Sequence, residues 1–150
     1  MKTRFALALG FLACSIGCSR LSAPIHVAFA SGPTTLAGSL YLPARGGRHP
    51  AVILVHGSGP QTRDSYAPFA KVFAKHGIAT LIYDKRGTGA LTGNWQRAPF
   101  SALADDAAAG LEFLRRRVEI DSTRVGIWGG SEGGWIAPWV ASINPNVAFV

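Results

Sequence analysis

Val125-Gly126-Ile127-Trp128-Gly129-Gly130-Ser131-Glu132-Gly133 is the stretch on which the reading of this chain turns. Val125 to Trp128 is an apolar run of strand type, and behind it stands a G-x-S-x-G pentapeptide. That combination describes a nucleophile elbow: a buried strand delivers a serine onto a sharp turn, and a helix carries the chain away. Gly129 and Gly133 flank Ser131 because the serine backbone must take strained angles while neighbouring chain passes close by, which a Cβ would obstruct. The plainer reading is a glycine-rich turn whose serine merely caps a helix. The helix-compatible stretch from Glu132 to Ser142 completes the strand–turn–helix frame and favours the elbow.

Upstream, strand and helix signals alternate, which predicts an α/β sheet. Ile25–Ala30 and Leu36–Leu42, separated by Ser31-Gly32-Pro33, read as an edge hairpin. Ala51-Val52-Ile53-Leu54-Val55 and Ala79-Thr80-Leu81-Ile82-Tyr83 are continuous apolar runs, the signature of strands buried on both faces. Between them a helix is expected from about Tyr66 to His76, with Phe69, Val72, Phe73 and His76 on one face and Gly77 as its stop. Ser101 is a plausible N-cap for a second helix reaching Arg117, with Leu103, Ala107, Leu111, Leu114 and Val118 on its stripe. Asp105 and Asp106 fall in its first turns, where acids complement the helix dipole. Val147-Ala148-Phe149-Val150 begins a sixth apolar strand. Arg63 and Asp64 read as initiators of the first helix.

Composition bounds the rest. The chain has 150 residues and is 48% apolar, enough for one core and not for two domains. Lys2 and Arg4 precede an apolar run, Phe5 to Ile16, too short to span a membrane comfortably. Residues 1–18 therefore read as a secretory signal, with Ser15-Ile16-Gly17-Cys18 loosely resembling a bacterial lipobox. Residues 19–150 form the domain. Export is expected, to the periplasm or to an outer-membrane anchor through lipidated Cys18. A cut after Ala28-Phe29-Ala30 would remove the first strand and is disfavoured. Both cysteines, Cys14 and Cys18, lie in this leader, so the domain holds together by packing, without an intrachain disulfide. The net charge of +7 falls to +5 without the leader, and the one dense run, Arg115-Arg116-Arg117, ends a helix with no interleaved aromatics. It reads as a solvated helix end, and nucleic acid is not an expected partner.

Ser131 is a poor nucleophile alone; it needs a base for its proton and donors aimed at the oxyanion formed on attack. One donor is the backbone N–H of Glu132. The second should come from the loop after a neighbouring buried strand, and His56-Gly57-Ser58-Gly59-Pro60 is such a loop.

Three blocks thus occur in order with strand–helix units between them: His56-Gly57-Ser58-Gly59-Pro60, Asp84-Lys85-Arg86-Gly87-Thr88-Gly89, and Gly129-Gly130-Ser131-Glu132-Gly133-Gly134. Over about residues 24 to 150 the chain resembles the N-terminal part of a bacterial α/β-hydrolase. It is most similar to the exported esterase and serine-aminopeptidase-like branch, near dienelactone hydrolases and esterase D. The resemblance implies a mostly parallel twisted sheet with helices on both faces, truncated after about the sixth strand. It implies a Ser–Asp/Glu–His triad with Ser131 as nucleophile, and the amides of Ser58 and Glu132 as oxyanion donors. His56, Gly57, Gly59, Gly129 and Gly133 would support them, Gly57 by letting substrate approach.

The blander readings are kept alongside. His56 precedes the serine and reads as structural, and Asp84 and Arg86 as parts of a tight turn. The Glu132 side chain reads as turned away and held by neighbours, with contact to a substrate amine as the alternative. Trp95, Trp135 and Trp139 read as core or rim aromatics, and His26, His49 and His76 receive no role. In this family the triad runs serine, acid, histidine along the chain. All four histidines precede Ser131, and among the 19 residues after it the only ionisable side chain is Glu132. The chain is therefore expected to be part of a larger ester hydrolase, nearly inactive as written because triad loss costs several orders of magnitude. A small-molecule ester or short peptide is the expected substrate, and no cofactor or metal is implied. The rival readings are a serine peptidase on the same scaffold and a non-catalytic exported binding protein.

Overall fold

The computed structural model describes residues 21–89 and 93–150. The signal and lipidation readings on residues 1–18, with both cysteines, lie outside the described residues. The described elements run β1 (Ile25–Ser31), β2 (Thr34–Tyr41), β3 (His49–Val55), α1 (Ala67–Lys75), β4 (Ala79–Tyr83), α2 (Phe100–Arg115), β5 (Ile120–Gly129) and α3 (Gly133–Ile143), with a 3-10 turn at Arg63–Tyr66 before α1. The strands form one sheet in the order β1-β2-β4-β3-β5. β1 and β2 pair antiparallel through the Ser31-Gly32-Pro33 turn, β2 meets β4 antiparallel, and β3 runs parallel to both β4 and β5. The edge hairpin thus makes the described sheet mixed, around a parallel centre.

Both central strands are apolar on both faces because each face is covered. Val52, Leu54 and Ile82 pack against Ala70 and Ala74 of α1. Ala51, Ile53, Val55, Leu81 and Ile127 pack against Leu103, Ala107, Leu111 and Leu114 of α2 and Ile136 and Val140 of α3. Continuous apolar strands between helical layers are what a parallel α/β sheet demands.

Several expected details differ. α1 buries Ala70 and Ala74, whereas Phe69 and Val72 are 49% and 55% exposed. The helix turns its small residues to the sheet so that its backbone can lie close, and Phe69 stacks instead on Trp128 with centroids 5.7 Å apart. α2 is capped by Pro99 in extended conformation, two residues earlier than the Ser101 cap expected. It ends at Arg115, so Val118 falls past the helix and is 81% exposed. Residues 147–150 are not a regular strand, yet Ala148 N–H donates to Val125 O and Ile127 N–H to Phe149 O, so this segment runs beside β5 in the parallel sense. The stop at Gly77 holds: its φ is +86°, and its N–H closes the helix on Ala74 O. Among the described residues no helix is long and apolar enough to cross a membrane.

The burial difference along α2 is measurable. Leu111→Ala should lower the unfolding free energy by about 2–5 kcal/mol, whereas Val118→Ala should change it by less than about 0.5 kcal/mol. Urea denaturation of both variants checks this.

Candidate active site

The three sequence blocks lie at the ends of adjacent strands. β3 ends at Val55, β4 at Tyr83 and β5 at Gly129, so the loops that follow them emerge at the same edge of the parallel centre. At that edge of an open α/β sheet, loops from different strands converge and ligands bind.

The turn after β5 is tight. Gly133 N–H donates to Gly130 O and Gly134 N–H to Ser131 O, both at 2.9 Å, so α3 begins two residues after the serine. Ser131 carries φ +55°, the only positive φ at a non-glycine residue among those described. A serine held there costs on the order of 1–3 kcal/mol, which the surrounding structure must offset. Two glycines make the turn possible. A Cβ on Gly129 would run into the Gly133 backbone, and a Cβ on Gly133 would run into the carbonyls of Val55 and His56. Ser131 itself is exposed.

The loop after β3 lies against this turn. A Cβ at Gly57 would meet Ser131 Cβ at 3.3 Å and Gly130 O at 3.5 Å. Ser58 O accepts a hydrogen bond from Gln61 Nε2 at 3.0 Å. Neither the Ser58 N–H nor the Glu132 N–H donates to another described residue. Ser58 is exposed and Glu132 half-buried, so these two amides stand at the surface beside the serine.

Charge pairs sew the loops together. Asp84 accepts from Arg63 Nε at 3.2 Å, from Arg63 Nη2 at 2.9 Å and from the Arg63 N–H at 2.8 Å, while Arg63 Nη1 donates to Gly38 O. Lys85, with its side chain 4% exposed, donates to Gly57 O at 2.9 Å and to Glu132 Oε2 at 2.5 Å, and its ammonium lies 5.4 Å from the Trp95 ring centre. Arg86 grips both carboxylate oxygens of Asp106, at 2.6 and 2.8 Å, and also donates to Ala102 O. Gln61 O accepts from the Lys85 N–H and the Thr88 hydroxyl, each at 3.0 Å.

These pairs refine the sequence reading. Arg63 initiates a helical turn but its guanidinium works on Asp84, and Asp106 is no dipole partner but a buried counterion for Arg86. The Glu132 side chain is held by a neighbour. Lys85, to which the sequence assigned nothing, is the residue that reasoning along the chain missed. Its signal was present: Asp84, Lys85 and Arg86 follow a fully buried strand, and buried charges need partners from elsewhere in the chain.

The histidines fall in instructive places. His26 lies on the edge strand β1, with three strands between it and β5 in the sheet order. His49 starts β3 and His76 ends α1, both at the sheet edge opposite the elbow. His56 is 2% exposed, enclosed between Tyr66 and Tyr83 with ring centroids 5.1 Å from each, and among the described residues neither ring nitrogen has a hydrogen-bond partner. Burial first, and the Lys85 charge second, lower its pKa to about 4; the nearby Thr62 backbone offsets this only in part. His56 is a neutral packing residue. No histidine of the described chain bonds Ser131.

Trp139 stacks on Phe100 at the rim, with centroids 5.6 Å apart, whereas Trp135, on the first turn of α3, is 77% exposed and packs in no core. A hollow of about 600 Å³ lies at the opposite end of the sheet, lined by Arg45, His49, Lys75 and His76 among others, and no serine or cysteine lines it. Among the described residues no group of three His, Cys, Asp or Glu side chains is placed to hold a metal.

A five-strand core in this order, an elbow serine in left-handed conformation and two loops converging on it define the α/β-hydrolase class. Within it, residues 47–149 match the model of the serine aminopeptidase S33 family, and the chain belongs to that family. The chain is 33% identical over 113 residues to the quorum-quenching protein AidA of Acinetobacter baumannii, covering 75% of this chain and 37% of that protein. It is 30% identical over 113 residues to the esterase EstD of Thermotoga maritima, covering 71% of this chain and 27% of EstD. Among solved structures it is similar to hypothetical protein PA2218 of Pseudomonas aeruginosa, with a TM-score of 0.74 and 27% identity over 97% of this chain and 46% of the other. The chain thus spans less than two fifths of the length of these curated relatives.

The His56 environment sets a pH dependence. Its pKa is lower in the folded protein than in the unfolded chain, so the unfolded state binds the extra proton more readily. The stabilisation is complete above the ordinary pKa of 6.5 and is lost as pH falls toward about 4. Urea titrations should show about 3 kcal/mol lost over that window through this group. His56→Phe should flatten that part of the profile.

Proposed function

We propose that this protein is a serine hydrolase acting on carboxylic esters through an acyl-enzyme on Ser131. The observation that carries the reading is the exposed Ser131 at φ +55° beside two unpaired amides, Ser58 N–H and Glu132 N–H. Ser131 Oγ would attack the ester carbonyl carbon while a base takes its proton. The carbonyl π pair would move onto oxygen, where the two amides receive it. Collapse expels the alcohol, protonated by the same base, and water then releases the acid from Ser131. None of His26, His49, His56 and His76 is placed to take the Ser131 proton; in the α/β-hydrolase pattern that base is a histidine later than the serine in chain order.

A second reading, hydrolysis of peptides from their amino end, follows the family's name. A carboxylate beside the nucleophile would suit the substrate ammonium it requires. Glu132 is that carboxylate, and it is already paired with buried Lys85. That pairing favours the ester. Export also belongs to the proposal: Lys2, Arg4 and the run Phe5–Ile16 act as the leader, with Cys18 as the lipid-bearing residue.

The protein expressed from its complete reading frame should be labelled by a fluorophosphonate on Ser131. It should turn over p-nitrophenyl acetate at roughly 1–1000 per second, within the usual enzyme range. Ser131→Ala should remove the label and lower kcat by at least about 1000-fold. Label on another residue, or a preference for aminoacyl-anilides over short esters, would sink the ester reading. For export, incorporation of labelled palmitate in a bacterial host should vanish in Cys18→Ser; label retained in that variant excludes Cys18 as the attachment point.

A further inference from the structure

We infer that Lys85 is a positioning residue for the oxyanion site: a buried ammonium that aims and polarises the Gly57–Ser58 peptide and ties it to the elbow. The inference rests on the serine-hydrolase reading of Ser131 and goes beyond it to what holds the donors in place.

Only one of the three charges at positions 84–86 reaches the elbow. Asp84 turns to Arg63 and Arg86 to α2, but Lys85 points under the loop after β3. There its Nζ makes two hydrogen bonds, to Gly57 O at 2.9 Å and to Glu132 Oε2 at 2.5 Å. Gly57 O and Ser58 N–H belong to one peptide unit. The described chain has no cis peptide bonds, so the two groups point in opposite directions. Fixing the carbonyl on a buried ammonium fixes the N–H on the other side, and this N–H donates to no described residue. The second unpaired amide is that of Glu132, whose own side chain ends on the same ammonium. One side chain therefore anchors both candidate donors.

The electrostatics have a sign. An ammonium bound to a carbonyl is a charge-assisted hydrogen bond that draws electron density from the peptide and makes its N–H a stronger donor. Glu132 balances the charge, so the pair leaves little net field at the serine. The benefit comes through orientation and polarisation, with no reorganisation needed when the oxyanion forms. Trp95, 5.4 Å from Nζ, covers the ammonium and limits its exchange with water.

The glycine at 57 completes the arrangement. Ser131 Cβ lies 3.3 Å from where a side chain would begin, so the peptide sits as close to the nucleophile as packing allows. A loop this close needs restraint from below, and Lys85 supplies it through the 28-residue separation between Gly57 and itself.

The test uses protein expressed from its complete reading frame. Removing a whole oxyanion donor costs about 100- to 1000-fold in kcat. Lys85→Met leaves the donor in place but unanchored, so kcat for p-nitrophenyl acetate should fall by about 10- to 100-fold, with KM changed less than about threefold. Affinity for a trifluoromethyl ketone, which forms a tetrahedral adduct on the serine, should fall in parallel with kcat/KM. Lys85→Gln keeps a shorter N–H donor without the charge and should lose activity in the same sense, and it serves if the methionine variant does not fold. Lys85→Arg should recover at least part of the loss. A residue that only stabilises the fold would lower Tm and leave kcat intact below it. Wild-type kcat in either folded neutral variant, or a loss confined to KM, overturns the inference. A separate readout does not depend on turnover: the Ser58 amide proton should move upfield in both neutral variants, and an unmoved resonance overturns the polarisation. Failure of Ser131 labelling in the wild type would instead strike the hydrolase reading itself.

Discussion

Everything at the working edge of this molecule depends on one steric constraint: the chain must leave β5 and enter α3 within the three residues Gly130, Ser131 and Glu132. The elbow brings α3 so close to the strand ends that a Cβ on Gly129 would overlap the Gly133 backbone, and one on Gly133 would overlap the carbonyls of Val55 and His56. Ser131 is pressed into φ +55° as a result. Such a conformation survives only when the surroundings over-determine it. Here they do, because β5 is hydrogen-bonded to β3 up to Gly129 and α3 is anchored by Ile136 and Val140 in the core. The same closeness that forces the angle also lifts the serine clear of the sheet and leaves the next amide without a helical partner.

A second layer of order comes from charge. Three consecutive residues at the end of β4 reach three different places: Asp84 to the 3-10 turn before α1, Lys85 to the elbow, Arg86 to α2. Each pair joins segments far apart in sequence. Buried ion pairs add little net stability because desolvation offsets the attraction, but breaking one by removing a partner is costly. Their contribution here is placement. They hold three loops, which would otherwise be the most mobile parts of the fold, in a fixed relation to the serine.

The legible parts of the fold were those in which burial repeats along the chain. Ala51–Val55 and Ala79–Tyr83 read as two-sided strands and are buried throughout. Leu103, Ala107, Leu111 and Leu114 read as one stripe and form one. Phe69 and Val72 misled because an apolar face on a short helix does not say whether large or small residues turn inward; β3 and β4 accept Ala70 and Ala74, which let α1 approach closely. Asp106 looked like a helix-dipole residue, since its position in the second turn of α2 has a local explanation. Its real partner, Arg86, lies 20 residues back and becomes adjacent only once β4 and α2 pack on one another.

By itself, the sequence determined that a strand-fed serine with flanking glycines lies behind two glycine-bearing loops, and that Glu132 stands directly after it. These are properties of residue type and order, and they need no folding to be read. Only the tertiary structure decided which amides stay unpaired, that His56 is a neutral core residue, and that Lys85 joins Gly57 to Glu132. Those outcomes depend on the strand order β4-β3-β5, which sets residues 57, 85 and 132 side by side. Periodicity along a chain records which face of an element is buried. It carries no record of which distant charge waits on the other side.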